Sequence, residues 1–231
     1  FCLLVPLLVM LWIGGISAPS QDELENAYSA LFYSIPVANV LILPIVMAVL
    51  ASRLWDMEVK GSTWKLLYTL QSRRSLFLGK ALFGTMEVVF ITFLEMGGTY
   101  LTGKIYGYTE EFPVNQFLYL TACTLMVELL IFFGAFLIMI LTKNPLPALC
   151  AGIVASLTGL FSAFLPQIVS YFVPWGYFIP LSSYEVANWE QTTHTITYGT
   201  RPYNWGLLIF TLILIMILFY ASWCRVQKQE V

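Results

Sequence analysis

The sequence predicts an all-α, polytopic membrane protein: six transmembrane helices, a short cytoplasmic coupling helix, and broken outer helices before the last span. Three observations predict it. The first is composition: 59% of the 231 residues are hydrophobic and only 10% are charged, with a mean hydropathy of +0.79. Soluble domains carry about 25% charged residues, so this chain cannot cover a water-facing surface. The second is segmentation: apolar stretches at 1–18, 33–54, 76–101, 117–141, 148–165 and 205–223 fill more than half the chain. Each approaches or exceeds the roughly 17–25 residues that cross a hydrocarbon core as a helix. The third is charge placement. When the spans alternate in direction, nine of the eleven Lys and Arg residues fall on one side, and only Lys104 and Arg201 on the other. That bias makes the rich side cytoplasmic and leaves both termini inside. A soluble fold, a nucleic-acid binder and a secreted disulfide scaffold are excluded.

The segment 1–18 lacks a basic n-region and five further spans follow it, so it reads as a first transmembrane helix rather than a signal peptide, with a cytoplasmic lead-in expected upstream. The acidic residues Asp22, Glu23 and Glu25 follow on the outer side. In 33–54, Pro36, Asn39 and Pro44 predict a kinked helix with a polar spot; tolerated transmembrane prolines and a gating role both fit. The connection from Arg53 to Lys80 holds six of the eleven basic residues. Within it, 62–71 reads as a short amphipathic helix, with Ser62 or Thr63 as N-cap and Trp64, Leu67, Tyr68 and Gln71 at helical spacing. It suits either an interfacial helix lying on headgroups or a docking helix for a cytoplasmic partner.

Three carboxylates lie within spans: Glu87 and Glu95 in 76–101, and Glu128 near the middle of 117–141. Glu87 and Glu95 are about 12 Å apart along a helix axis and within about 80° in rotation. A charge at that depth costs about 2.5–3.5 kcal/mol on insertion scales. These residues, with Asn39, are candidates for a substrate path or a proton-linked role, and a structural hydrogen-bonding role is the alternative. In 148–165, Ala151, Ala155, Gly159 and Ala163 recur every four residues beside a second stripe of Ala148, Gly152 and Ser156. Small residues at that spacing let helix backbones approach, within the chain or in a second subunit. The stretch 166–204 is rich in Tyr, Trp and Phe and is broken by Pro166, Pro174 and Pro180, which predicts re-entrant or interfacial outer helices.

No catalytic set is present. His194 is a lone histidine with no carboxylate or cysteine cluster nearby, and Cys2, Cys123, Cys150 and Cys224 form no C-x-x-C pair, so neither catalysis nor metal binding is expected. Gly79-Lys80 has Arg74 where a phosphate loop needs glycine, so no ATPase motif is recognisable.

The order of parts resembles an ABC-2 type exporter permease. More narrowly, the run Ser52 to Leu67, with Arg73, Arg74, Gly79 and Lys80, resembles the E- and G-type lantibiotic-immunity permeases and the bacitracin-resistance permeases. By that resemblance, Glu58, Gly61, Thr63, Trp64 and Lys65 occupy the ATPase-coupling positions. It further implies a separate ABC ATP-binding subunit carrying ATP and Mg, a second permease chain alike or different, no cofactor on this chain, residence in a bacterial plasma membrane, and an amphiphilic antimicrobial peptide as cargo. A proton-coupled secondary transporter using the intramembrane Glu residues and a non-transporting scaffold or sensor subunit are the competing functions.

Overall fold

The computed structural model describes residues 27–60, 72–162, 164–190 and 195–228. Five helices in it are long and apolar enough to cross a membrane: α1 (Ala27–Lys60), α2 (Arg73–Ile105), α3 (Val114–Thr142), α4 (Pro145–Ser162) and, after an irregular stretch, α6 (Trp205–Gln227). Between α4 and α6 lie the single-turn α5 (Gln167–Ser170), a 3-10 turn at Pro174–Gly176, and two strands, β1 (Tyr184–Glu190) and β2 (Thr195–Thr200). The segment expected to span at 1–18 and the expected coupling helix at 62–71 lie outside the described residues.

Helices α1, α2, α3 and α6 run longer than the hydropathy windows, because polar residues at their ends still have helical neighbours to bond. At 34, 33 and 29 residues, α1 to α3 exceed the roughly 20 residues that cross the hydrocarbon layer. Their ends have local causes. Ser72 caps α2, its Oγ accepting from the Ser75 amide at 3.2 Å. Gly107, at φ +68°, ends the same helix in a left-handed turn. Lys143 takes that conformation after α3, and Asn144 Oδ1 then accepts from the Leu146 amide at 3.0 Å, so that α4 starts at Pro145. Asn204 caps α6 through the Leu207 amide at 3.1 Å.

Helix α1 is the axis of the bundle, packed mainly on α3 and α4, while α3 carries α6 on its other side. Two-thirds of the apolar window of α1 is buried against about a fifth of that of α6, whose Ile209, Ile213, Met216 and Ile217 face outward. Lipid tails are as apolar as leucine, so helix association here depends on close packing and on hydrogen bonds between helices. The α1–α4 contact supplies both. A Cβ added at Gly152 would lie 2.6 Å from the Ala48 Cβ and 2.9 Å from the Pro44 carbonyl oxygen, so the backbones meet where only glycine fits. Ser156 Oγ donates to the Leu41 carbonyl at 2.6 Å, one residue beyond the Val40 carbonyl whose helical partner Pro44 removes.

The stretch 166–204 corrects one expectation. Its first part is broken into single turns, as the prolines dictate, but Tyr184–Glu190 and Thr195–Thr200 pair as an antiparallel ladder from Tyr184↔Thr200 to Glu190↔Thr195, with an irregularity between Val186 and Asn188. The chain is therefore not purely helical. β-Branched and aromatic residues fit a pleated surface better than a helix, and one face of this ladder rests on the bundle: Tyr184 meets Phe32 at 6.0 Å and Tyr198 meets Tyr33 at 5.5 Å between ring centroids.

Two ends of the bundle result. The sheet end carries the α2–α3 loop and an aromatic cluster of Tyr28, Phe32, Phe112, Phe117 and Tyr184. The opposite, basic end carries Arg53, Arg73, Arg74, Lys80, Lys143 and Arg225.

Candidate functional site

Glu128 lies fourteen residues from either end of α3, about 21 Å from each at 1.5 Å per residue, and so at the middle of a membrane-spanning helix. It is fully buried. Thr92 of α2 donates its hydroxyl to Glu128 Oε2. The same hydroxyl also lies 3.0 Å from the Val88 carbonyl oxygen, and a threonine has one proton for these two acceptors. Glu128 Oε1 has no hydrogen-bond partner.

Glu95 stands one turn beyond Thr92 on α2, is 2% exposed, and is the acidic neighbour of Glu128. Neither of its carboxylate oxygens is hydrogen-bonded. On its other side is Asn39 of α1, also fully buried. Glu95 and Asn39 lie close enough to interact, yet neither Oδ1 nor Nδ2 of Asn39 meets a partner in hydrogen-bonding geometry. Three helices therefore bring one amide, one hydroxyl and two carboxylates into a sealed polar cluster at mid-depth. Of the candidates from sequence, Asn39, Glu95 and Glu128 come together. Glu87 does not: it is half-buried at the edge of α2 between exposed Phe83 and Phe90. Thr92 is the member that sequence reading missed, and its signal was weak: a threonine three residues before Glu95.

At the sheet end, polar groups are satisfied. Glu110, from the α2–α3 loop, caps the first turn of α1: Oε2 accepts from the Tyr28 and Ser29 amides at 2.8 and 3.1 Å, and Oε1 from Ser29 Oγ at 2.7 Å. A carboxylate there also meets the positive end of the helix dipole. Burial pushes the nearby Tyr184 phenol above its ordinary range, so it stays neutral around this cap. Arg201 donates to Glu185 Oε2 from Nε at 2.9 Å and NH2 at 2.7 Å. Beside them a cavity of about 240 Å³ opens between Gln116, Ser183, Thr200, Arg201, Pro202 and Tyr203.

At the basic end, Lys80 Nζ donates to the Leu54 carbonyl and lies 4.7 Å from the Trp55 ring centroid. Arg73 NH1 donates to the Gln227 carbonyl at 3.3 Å, joining the start of α2 to the end of α6. Glu58 falls in the last turn of α1. Gly61, Thr63, Trp64 and Lys65 lie outside the described residues, as does His194.

The small-residue helix uses its second stripe. Ala148, Gly152, Ser156 and Gly159 are buried, with Gly152, Ser156 and Gly159 against α1, while Ala151 and Ala155 are half-exposed and Ala163 lies outside the described residues. Gly159 alone belongs to both the four-residue repeat and the buried face.

Residues 1–162 match the family described as ABC-2 family transporter protein. The chain belongs to the ABC-2 transporter family. It is a multi-pass membrane protein and the transmembrane permease of an ABC transporter, a component that works with an ABC ATP-binding partner. No curated protein matches it. The matched region contains the whole polar cluster, whereas the sheet and α6 of this permease follow it.

Proposed function

We propose that this ABC-2 permease belongs to an ATP-driven exporter that clears an amphiphilic, cationic antimicrobial peptide of the lantibiotic type from a bacterial plasma membrane. The observation that supports this best is the cluster of Asn39, Thr92, Glu95 and Glu128, polar capacity left unspent where a membrane helix tolerates it least. In this reading the basic end faces the cytoplasm, following the placement of Lys and Arg. The ATP-binding subunit, carrying ATP and Mg, grips the loop at Glu58, Gly61, Thr63, Trp64 and Lys65. A second permease chain completes the path, and the half-exposed Ala151 and Ala155 of α4 are the part of the small-residue stripe free to meet it. Motion of the loop pulls on the end of α1 and the start of α2, which Lys80 ties together through the Leu54 carbonyl. Separating α1, α2 and α3 then uncovers the two carboxylates to a cationic cargo.

The test is resistance in cells that express the chain with its ATP-binding partner. Lantibiotic tolerance should rise several-fold, and Lys65→Glu or Trp64→Ala should abolish both the rise and co-purification of the ATPase. Unchanged tolerance in the wild type removes the peptide cargo. Normal co-purification by both variants removes the assigned coupling site.

A further inference from the structure

We propose that Asn39, Thr92, Glu95 and Glu128 form an intramembrane site for one small monovalent cation, Na⁺ or a proton, taken up from outside the chain. The inference goes beyond the export reading and holds whatever the cargo.

Charge is the first argument. Residues 1–52, 81–103, 114–142, 145–162 and 205–224 contain no Lys, Arg or His. No base therefore stands in the apolar stretch of any of these segments. The nearest bases on α2 are Lys104 and Lys80, nine and fifteen residues from Glu95, about 13 and 22 Å along the axis. Lys104 lies over the Tyr100 ring at 4.9 Å, and Lys80 is bound at the basic end. The groups facing the cluster are Asn39 from α1, Thr92 and Glu95 from α2, and Glu128 from α3, all neutral or acidic. Two carboxylates in a sealed interior without a base need positive charge from elsewhere.

The donor set indicates which charge. Carboxylate, amide and hydroxyl oxygens are hard ligands, and Asn39 Oδ1, both Glu95 oxygens and Glu128 Oε1 meet no partner in hydrogen-bonding geometry, although the Asn39 amide stands beside Glu95. A peptide amine with its attached chain does not enter a cluster whose carboxylate and amide side chains are at most 2% exposed unless the helices part. Ca²⁺ takes six to eight oxygens and Mg²⁺ keeps several waters, whereas the cluster supplies six side-chain oxygens at most, one of them the hydroxyl already donating to Glu128. A proton on one carboxylate, with a Na⁺ or a second proton on the other, brings the pair to neutrality.

The test uses the full chain in lipid nanodiscs, without ATPase or peptide, and reads thermal stability while NaCl replaces choline chloride at constant ionic strength, at mildly alkaline and mildly acidic pH. A rise in Tm of several degrees with Na⁺ identifies the sodium form, and a rise on acidification in choline identifies the proton form. Either shift must disappear in the Glu95→Gln/Glu128→Gln variant. Should that variant fail to fold, Asn39→Leu keeps both carboxylates, and the midpoint of whichever titration is active must move severalfold. A wild type indifferent to both ions, parallel shifts in wild type and double variant, or an unmoved midpoint in Asn39→Leu overturns the site. Failure of peptide resistance alone leaves it standing, since no peptide takes part.

Discussion

Polar groups at the sheet end and polar groups at mid-depth are treated in opposite ways. At the sheet end, Glu110 accepts three hydrogen bonds, Glu185 holds Arg201, and Asn204 caps α6. At mid-depth, five side-chain atoms of Asn39, Glu95 and Glu128 have no partner. Economy of folding predicts the reverse, because water near a membrane surface replaces a lost partner and hydrocarbon does not. A chain able to place three cap-like bonds on Glu110 could have satisfied Glu95 by similar means. Under the proposed reading, the first set holds the fold together, whereas the second holds binding capacity for something that arrives.

Four substitutions test that contrast, in falling order of expected effect. The largest effect falls on the frame that carries both sets: Gly152→Leu drives a side chain into Ala48 and the Pro44 carbonyl. It should cost about 3 kcal/mol, the upper part of the overpacking range, read by unfolding in mixed micelles. Glu110→Ala comes next, removing a cap and its charge-assisted bonds, with an expected loss of about 2 kcal/mol. Glu128→Met should move stability the other way, by about 1–2 kcal/mol in favour of the fold, while transport falls; a destabilised Glu128→Met would place Glu128 with the structural set. The smallest effect belongs to Arg201→Gln, whose ion pair is partly exposed and worth less than about 1 kcal/mol.

The spans after the first were legible because hydrophobic length is a local property: α1 to α4 and α6 all overlap the apolar windows read from sequence. Their ends were not, since Ser72, Asn144 and Glu110 act through capping, and Glu110 reaches across more than eighty residues of chain. The sheet is hidden because Tyr184, Trp189 and Tyr198 suit an interfacial belt as well as a strand, although Thr195-Ile-Thr-Tyr-Gly-Thr200 carries the β-branched residues of a strand. The intramembrane acids were visible as anomalies, but their grouping was not. Which of Glu87 and Glu95 meets Glu128 depends on how far α2 is rotated against α1 and α3, and no local pattern encodes that angle. The same holds for α4, where Ala151, Ala155, Gly159 and Ala163 make the more regular repeat but close contact at Gly152 selects the adjacent stripe.

The central claim is that the mid-depth cluster serves transport rather than folding. ATP-driven efflux from proteoliposomes holding the chain and its ATP-binding partner tests it most directly, with Glu128→Gln compared to wild type at equal assembly. At least a tenfold fall in efflux is expected with the complex intact. Efflux at the wild-type rate from an intact Glu128→Gln complex would contradict it.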